Sequence, residues 1–257
     1  MIDRVRSPYR TPEPPSTDEH APRPLEYTLA GVFLFAVAVY AKFPTLDLIV
    51  SSRQYHPVHG FVGAHAPLLE AMHLWAPRLG MGVVALLLSW LVVAPLVAWW
   101  AQRRGQGRWL ERAHPFLQRS AVLALLVALV GPGLLSEGLF KNTVGRPRPV
   151  QIEPFGGPAA FQGPFQIGDN PAEHRSFVSS TAATGFALMG LGLACGPIWR
   201  RRWLIIGIVA GAVLGMGRIL QGAHFLSDVV FAFYTVWWST VLIGWAADKW
   251  FPPRPGP

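Results

Sequence analysis

The sequence predicts an all-α, polytopic membrane protein of six transmembrane helices, and three observations predict it. Hydrophobic residues fill 51% of the 257 positions and charged residues only 14%, a balance suited to lipid as the surrounding solvent. Apolar segments recur from residue 27 to residue 247, with no long polar block to hold a second core. Trp75, Trp99, Trp100, Trp109, Trp199, Trp203 and Trp250 stand where apolar runs meet polar ones, the pattern of aromatic belts at a membrane interface.

About 20 helical residues cross the hydrocarbon core. That length sets the expected spans at 27–43, 79–100, 119–140, 179–196, 203–220 and 225–247, of which the fourth and fifth are short. Pro95, Pro132 and the Gly131–Gly133 stretch should bend their helices, which a membrane tolerates when neighbours satisfy the freed backbone groups. Residues 1–24 are polar and proline-rich and read as a disordered cytoplasmic tail. They set the first apolar run too far from the start for a cleavable secretory signal. Residues 25–250 form one six-span domain, and 251–257 a second cytoplasmic tail.

Charge decides the expected orientation. Arg4, Arg6, Arg10 and Arg23 in the tail, Arg103, Arg104, Arg108 and Arg112 after the second span, and the turn Arg200, Arg201, Arg202 alternate with loops of the other side. Because Lys and Arg accumulate on the cytoplasmic side, both termini are expected there. The opposite side then receives 44–78, 141–178 and 218–224, and in a Gram-negative inner membrane that side is the periplasm. The net charge of +8 comes in short groups between apolar runs, which fits anionic head groups rather than nucleic acid. The single cysteine, Cys195, rules out an intramolecular disulfide and leaves the redox compartment open.

Three polar patches fall at three successive outer ends of spans, where Lys141, Arg146, Arg148, Arg175 and Arg218 break the charge rule. Cations held against that bias are expected where an anion binds. The first patch runs from Lys141 through Arg146 and Arg148 to Pro149; taken alone it reads equally well as a basic cluster snorkelling to the interface. The second, Arg175 followed by Ser179, Ser180 and Thr181, precedes the fourth span. Its hydroxyls and free backbone N–H groups suit either plain helix capping or a phosphate. The third holds Arg218, His224 and Asp228. Four residues apart on a helix, His224 and Asp228 would share one face, so that the carboxylate holds one ring nitrogen while the other points outward, as a nucleophile toward phosphorus needs. Alone, it reads also as a buried His–Asp pair.

Together the patches, Lys-x6-Arg-Pro at Lys141 to Pro149, a serine-rich helix start at Ser179 and Ser180, and Arg-x5-His-x3-Asp at Arg218 to Asp228, resemble the type 2 phosphatidic acid phosphatase superfamily. The resemblance runs from about Glu137 to Asp228. It implies that Lys141, Arg148, Ser179, Ser180 and Arg218 bind the phosphate, that His224 attacks to give a phosphohistidine, and that Asp228 orients it, with no metal or other cofactor required. The helix-start motif departs from the family's Pro-Ser-Gly-His: Val178-Ser179-Ser180-Thr181 stands there, with Thr181 in place of the histidine that would protonate the leaving oxygen. Loss of general acid catalysis costs on the order of 10²–10⁴ in rate. Three explanations compete: a leaving group good enough to need little protonation, another donor such as His174 or Glu173, or binding without turnover.

The 150–175 stretch, with Glu153-Pro-Phe-Gly-Gly and Phe-Gln-Gly-Pro-Phe, resembles the head-group loop of bacterial lipid A phosphatases. The expected substrate is therefore lipid A, then undecaprenyl diphosphate, then phosphatidic acid or phosphatidylglycerol phosphate. A phosphotransferase using the same intermediate and a catalytically silent lipid-phosphate binder are the alternatives. Glu137, one turn before Lys141, reads as its ion-pair partner. His56, His59, His65 and His73 lack a repeated ligand spacing, so a head-group role or none is expected in place of zinc. No protein partner can be inferred.

Overall fold

The computed structural model of the protein describes residues 24–104 and 108–251. Apart from Pro24 and Phe251, the two expected tails lie outside the described residues, as do the side chains of Arg108, Trp109 and Arg112.

Helix α1 (Pro24–Lys42) leads into the short α2 (Leu46–Ser52), a hairpin of β1 (Tyr55–His56) and β2 (Gly60–Phe61), and α3 (Pro67–Arg103). Helix α4 (Arg108–Ala128) continues as a π-helical stretch, Leu129–Phe140, and ends in a turn, α5 (Lys141–Thr143). After a long loop come α6 (Ser180–Phe186), a 3-10 stretch Ala187–Gly192, α7 (Pro197–Leu220) and α8 (Leu226–Trp250). The protein is all-α and polytopic: among the described residues five helices are long and apolar enough to cross a membrane, Leu25–Lys42, Pro67–Arg103, Phe116–Thr143, Pro197–Leu220 and Leu226–Trp250.

The expected span over 179–196 is not among these five. Ser, Thr and Gly weaken that stretch as a helix, and Gly185, Gly190 and Gly192 each press against a neighbour too closely to carry a side chain. The α-helix gives way to 3-10 geometry after Phe186, whose rise of about 2.0 Å per residue lengthens a short segment. It packs along α7 in the opposite direction, Gly185 against Gly211 and Gly192 against Trp203 and Arg200. Arg200, Arg201 and Arg202, expected in a turn, lie inside the first turns of α7, because Pro197 starts that helix earlier.

Glycine sets the spacing of this half. Gly207, Gly211 and Gly215 recur every four residues on one face of α7: a methyl group at Gly207 would fall 2.9 Å from Met189 N, one at Gly211 would strike the Phe186 ring, and one at Gly215 would strike Val229 of α8. Gly185 of α6 meets the backbone of Gly211 in the same way, at 2.6 Å from its nitrogen. Such small-residue stripes let helix backbones approach where no hydrophobic effect drives them together. In the π-helical stretch Pro132 has no N–H to give, and Ser136 Oγ donates to Gly131 O at 2.9 Å, satisfying a carbonyl five residues back.

Trp75 and Trp99 of α3 are exposed and 24 residues apart, about 36 Å at 1.5 Å per residue. That matches the distance between the two interfaces of a bilayer. The Arg103 and Arg104 guanidinium groups stack on Trp99 and Trp100 at 3.8 and 3.7 Å from the ring centroids, which anchors that end at head-group level. Toward the Trp75 end of α3, α7 ends and α6 begins, with Gly217 against Leu69 and Thr184 against Gly80. Lys141 of α5 meets Ser180 of α6 there, and α8 begins after the turn that follows α7.

Candidate active site

Two chain reversals, from α5 to α6 and from α7 to α8, bring the three polar patches together at that one end. Val150 N donates to Gly222 O at 3.0 Å and Gly63 N to Leu220 O at 2.9 Å, tying the segment after Arg148, and the loop before α3, to the α7–α8 turn. Gly222 carries φ of +66°, which only glycine adopts without strain, and it lets the chain reverse between Arg218 and His224.

His224 does not share a helix with Asp228, as the spacing had led one to expect. It sits in the turn before α8, whose N-cap is the extended Phe225, while Asp228 is the third residue of the helix. A carboxylate at N3 accepts the free N–H of the cap: Phe225 N donates to Asp228 Oδ2 at 2.8 Å. Ser176 Oγ donates to the same oxygen at 2.6 Å, and His224 Nδ1 lies 3.5 Å from it, a close contact that is not a hydrogen bond. The ring is almost wholly buried. Burial pushes its pKa down to about 4; Asp228 opposes that, and Arg218 and Lys141 add to it. The imidazole is therefore neutral at physiological pH, the form in which a ring nitrogen carries a free lone pair.

Asp228 is held from behind. Arg146 is fully buried, and Nη1 donates to Asp228 Oδ1 at 2.6 Å and to Ser227 Oγ at 2.8 Å, Nη2 to Asp47 Oδ2 at 2.8 Å, and Nε to Gln162 O at 2.9 Å. Its guanidinium covers the Phe225 ring at 4.2 Å. Asp47 in turn accepts from Ser227 N at 2.9 Å and makes a short bond with Ser227 Oγ. Arg146, one of the cations expected where an anion binds, is thus engaged at every nitrogen by the protein itself.

Lys141, Arg148 and Arg218 are differently placed. Lys141 Nζ donates to Glu137 Oε1 at 2.6 Å, the expected i,i+4 pair, and to Ser180 Oγ at 2.7 Å. Arg218 Nη1 donates to Gln221 Oε1 at 2.8 Å, while its Nε is buried without a partner. Neither Arg148 nor Arg218 has a carboxylate partner among the described residues. The fields of Arg218 and Lys141 reach His224, and Arg148 acts on both of them. Three cations with one carboxylate between them thus gather around a neutral imidazole, an arrangement suited to a dianion.

Ser179 caps α6: its Oγ accepts from Ala182 N at 3.4 Å and its N–H donates to Asp228 O at 3.1 Å. Thr181 is buried one residue beyond Ser180. Arg175 reaches Asn142 Oδ1 at 2.7 Å and stands 3.8 Å from Glu137. His174 lies in the loop before α6, its backbone N–H on Asn170 O at 3.0 Å. Among the described residues no group of three or more His, Cys, Asp or Glu side chains is arranged to hold a metal ion; His56 and His59 stack on each other at 5.0 Å.

Sequence reasoning missed Asp47, Ser176 and Ser227. A lone carboxylate in the apolar run Thr45-Leu-Asp-Leu-Ile-Val50 was the available signal, since a buried charge demands a partner.

Comparison with known proteins adds the lineage. The PAP2 superfamily signature matches residues 121–251. The lipid A 4'-phosphatase of Francisella tularensis subsp. novicida is 33% identical over 219 residues, covering 82% of this chain and 90% of that protein. The lipid A 4'-phosphatase of Rhizobium etli is 33% identical over 166 residues, 64% of this chain and 58% of that protein. The lipid A 1-phosphatase of Rhizobium johnstonii is 28% identical over 200 residues, 73% of this chain and 72% of that protein. No solved structure matches the chain.

Proposed function

The chain belongs to the PAP2 superfamily, and on that footing we propose that it removes a phosphate from lipid A through a phosphohistidine formed on His224, at the periplasmic face of a bacterial inner membrane. The observation that carries this reading is the meeting of a neutral, Asp228-backed imidazole with Lys141, Arg148 and Arg218 at one end of a membrane bundle. In the reaction Nε2 of His224 attacks phosphorus while the three cations and the Ser180 hydroxyl hold the equatorial oxygens. Charge stabilisation of that kind is worth about 10²–10³ in rate for each well-placed donor. Water then attacks the phosphohistidine and releases inorganic phosphate.

Likeness to lipid A phosphatases over most of the chain supports the substrate class, and the two 4'-phosphatases among the relatives named above favour the 4'-phosphate. That preference bears on Thr181. Position 1 of a sugar is anomeric and leaves readily, whereas position 4' is an ordinary secondary hydroxyl whose oxygen needs a proton. The periplasmic orientation rests on the arginines of α3 and α7 at the other end of the bundle, by the charge rule.

Purified protein in detergent, given lipid A, undecaprenyl diphosphate and phosphatidic acid and scored by mass spectrometry, tests the reading. Loss of the 4'-phosphate that disappears in His224→Ala is the expected result. Binding of lipid A with no phosphate release by the wild type would instead establish a silent binder, and transfer of the phosphate to a lipid or sugar hydroxyl a phosphotransferase.

A further inference from the structure

We propose that His73 of α3 donates the proton to the leaving oxygen, replacing the histidine that the family carries where this chain has Thr181; the proposal rests on the phosphatase reading above.

His73 lies on the face of α3 turned toward the site. Leu69, one turn earlier on that face, packs on α7 next to Arg218: a methyl group at Gly217 would fall 3.3 Å from Leu69 Cδ2. Gly80, two turns later on the same face, packs on α6 one turn beyond Ser180: a methyl group there would fall 2.6 Å from Thr184 Cγ2. The ring between these contacts therefore faces the gap between the end of α7 and the start of α6, the helix on which Thr181 stands.

The charges that act on His73 identify the same place. They are Arg218, Arg148 and Lys141, the three cations around His224, with Glu70 of its own helix the opposing carboxylate. The phosphate dianion of the bound substrate offsets the three cations, so the ring takes up its proton in the complex. Its Nδ1 is buried and has no hydrogen-bond partner. A buried nitrogen left unpaired is destabilising, which argues for a partner that arrives with the substrate. Trp75, two residues on, marks the interface, so the ring stands within reach of water for re-protonation. His174 also has an unpartnered Nδ1, but among the described residues no contact ties its ring to Lys141, Arg148 or Arg218.

The step balances. His224 Nε2 forms the N–P bond as the bond from phosphorus to the sugar oxygen breaks, and protonated His73 gives its proton to that oxygen. Neutral His73 then takes a proton from the water that attacks phosphorus, the N–P bond breaks, and His73 is protonated again.

Leaving-group dependence tests this in the full-length protein in detergent. Two substrates are compared, lipid A, whose leaving group is a sugar alkoxide, and an alkyl-chained para-nitrophenyl phosphate, whose leaving group needs no proton. His73→Gln should lose about 10²–10⁴ in kcat on lipid A and less than about tenfold on the nitrophenyl substrate, with an unchanged melting temperature. Adding Thr181→His to His73→Gln should recover part of the loss on lipid A. Equal losses on both substrates, or no loss on either, would overturn the assignment while leaving the phosphatase reading intact. Should His73→Gln fail to fold, His73→Asn is read on the same two substrates with the same expectations. A wild type that releases phosphate from neither substrate overturns the phosphatase reading, and this proposal with it.

Discussion

Arg146 binds Asp228 at 2.6 Å and Asp47 at 2.8 Å with neither side chain exposed to solvent, so one guanidinium joins a carboxylate from the first loop region to the one behind His224. Removing one member leaves an uncompensated buried charge, which costs about 3–5 kcal/mol. Arg146→Met should therefore lower the melting temperature in detergent sharply, and activity with it. Asp47→Asn keeps the shape and removes one charge. It should cost less stability than Arg146→Met, and its activity loss should appear in kcat more than in KM, because Asp47 acts on the substrate through Arg146 and Asp228. A melting temperature unchanged by Arg146→Met would show that the network contributes nothing to folding.

Burial of His224 should make the protein sensitive to acid. Its pKa of about 4 in the folded state lies below the ordinary value of 6.5, so the folded protein binds fewer protons than the unfolded chain between those values. By linkage, stability from this group is fully present above pH 6.5 and is lost as pH falls through the window to about 4, roughly 3 kcal/mol over the window. His224→Gln, which does not titrate, should have a flatter stability profile between pH 6.5 and 4. Parallel profiles for wild type and variant would mean that the imidazole is not held neutral.

Much of this was legible in the sequence, and the gaps have physical causes. In the proposed site, Lys141, Arg148 and Arg218 stand out because each lies at the end of an apolar run, where a charge is conspicuous, while His224 and Asp228 are marked by their spacing and by the family resemblance. Glu137 followed from helical spacing, and its 2.6 Å contact with Lys141 agrees. The short α6 segment was harder, since hydropathy records apolar composition and cannot see that glycines at 185, 190 and 192 are placed for close packing. Arg146 and Arg148 are two residues apart in one basic motif, and nothing local distinguishes the one that is buried from the one that is not. That difference is made by Asp47, 99 residues earlier. His73 was grouped with three loop histidines because its place on the site-facing side of α3 depends on how that helix packs.

Close packing between α6 and α7 should be unforgiving. A methyl group at Gly185 would sit 2.6 Å from the Gly211 backbone nitrogen, and backbone cannot step aside as a flexible side chain can. Gly185→Ala should cost about 1–3 kcal/mol by overpacking. Because α6 carries Ser180 against Lys141, activity should fall as well. Gly196→Ala is the control: nothing lies within 4 Å of a methyl group there, and φ is −61°. Its stability and activity should both stay near wild type.

Arg148 and Arg146 offer the sharpest contrast, since the two residues share a motif and differ in what their guanidinium groups meet. Arg148 is partly buried and has no carboxylate partner among the described residues, so removing it strands no buried anion. Arg148→Ala should leave the melting temperature within about a degree or two of wild type, as expected for a site away from the packed core. It should lower kcat/KM for a phosphorylated lipid by about 10²–10³, the usual cost of losing one donor to the transferring phosphoryl group. Arg148→Lys keeps the charge but not the two-pronged geometry, and should recover only part of the loss. If Arg148→Ala were instead to unfold the protein while Arg146→Met left it stable and merely inactive, the roles assigned to the two arginines would have to be exchanged.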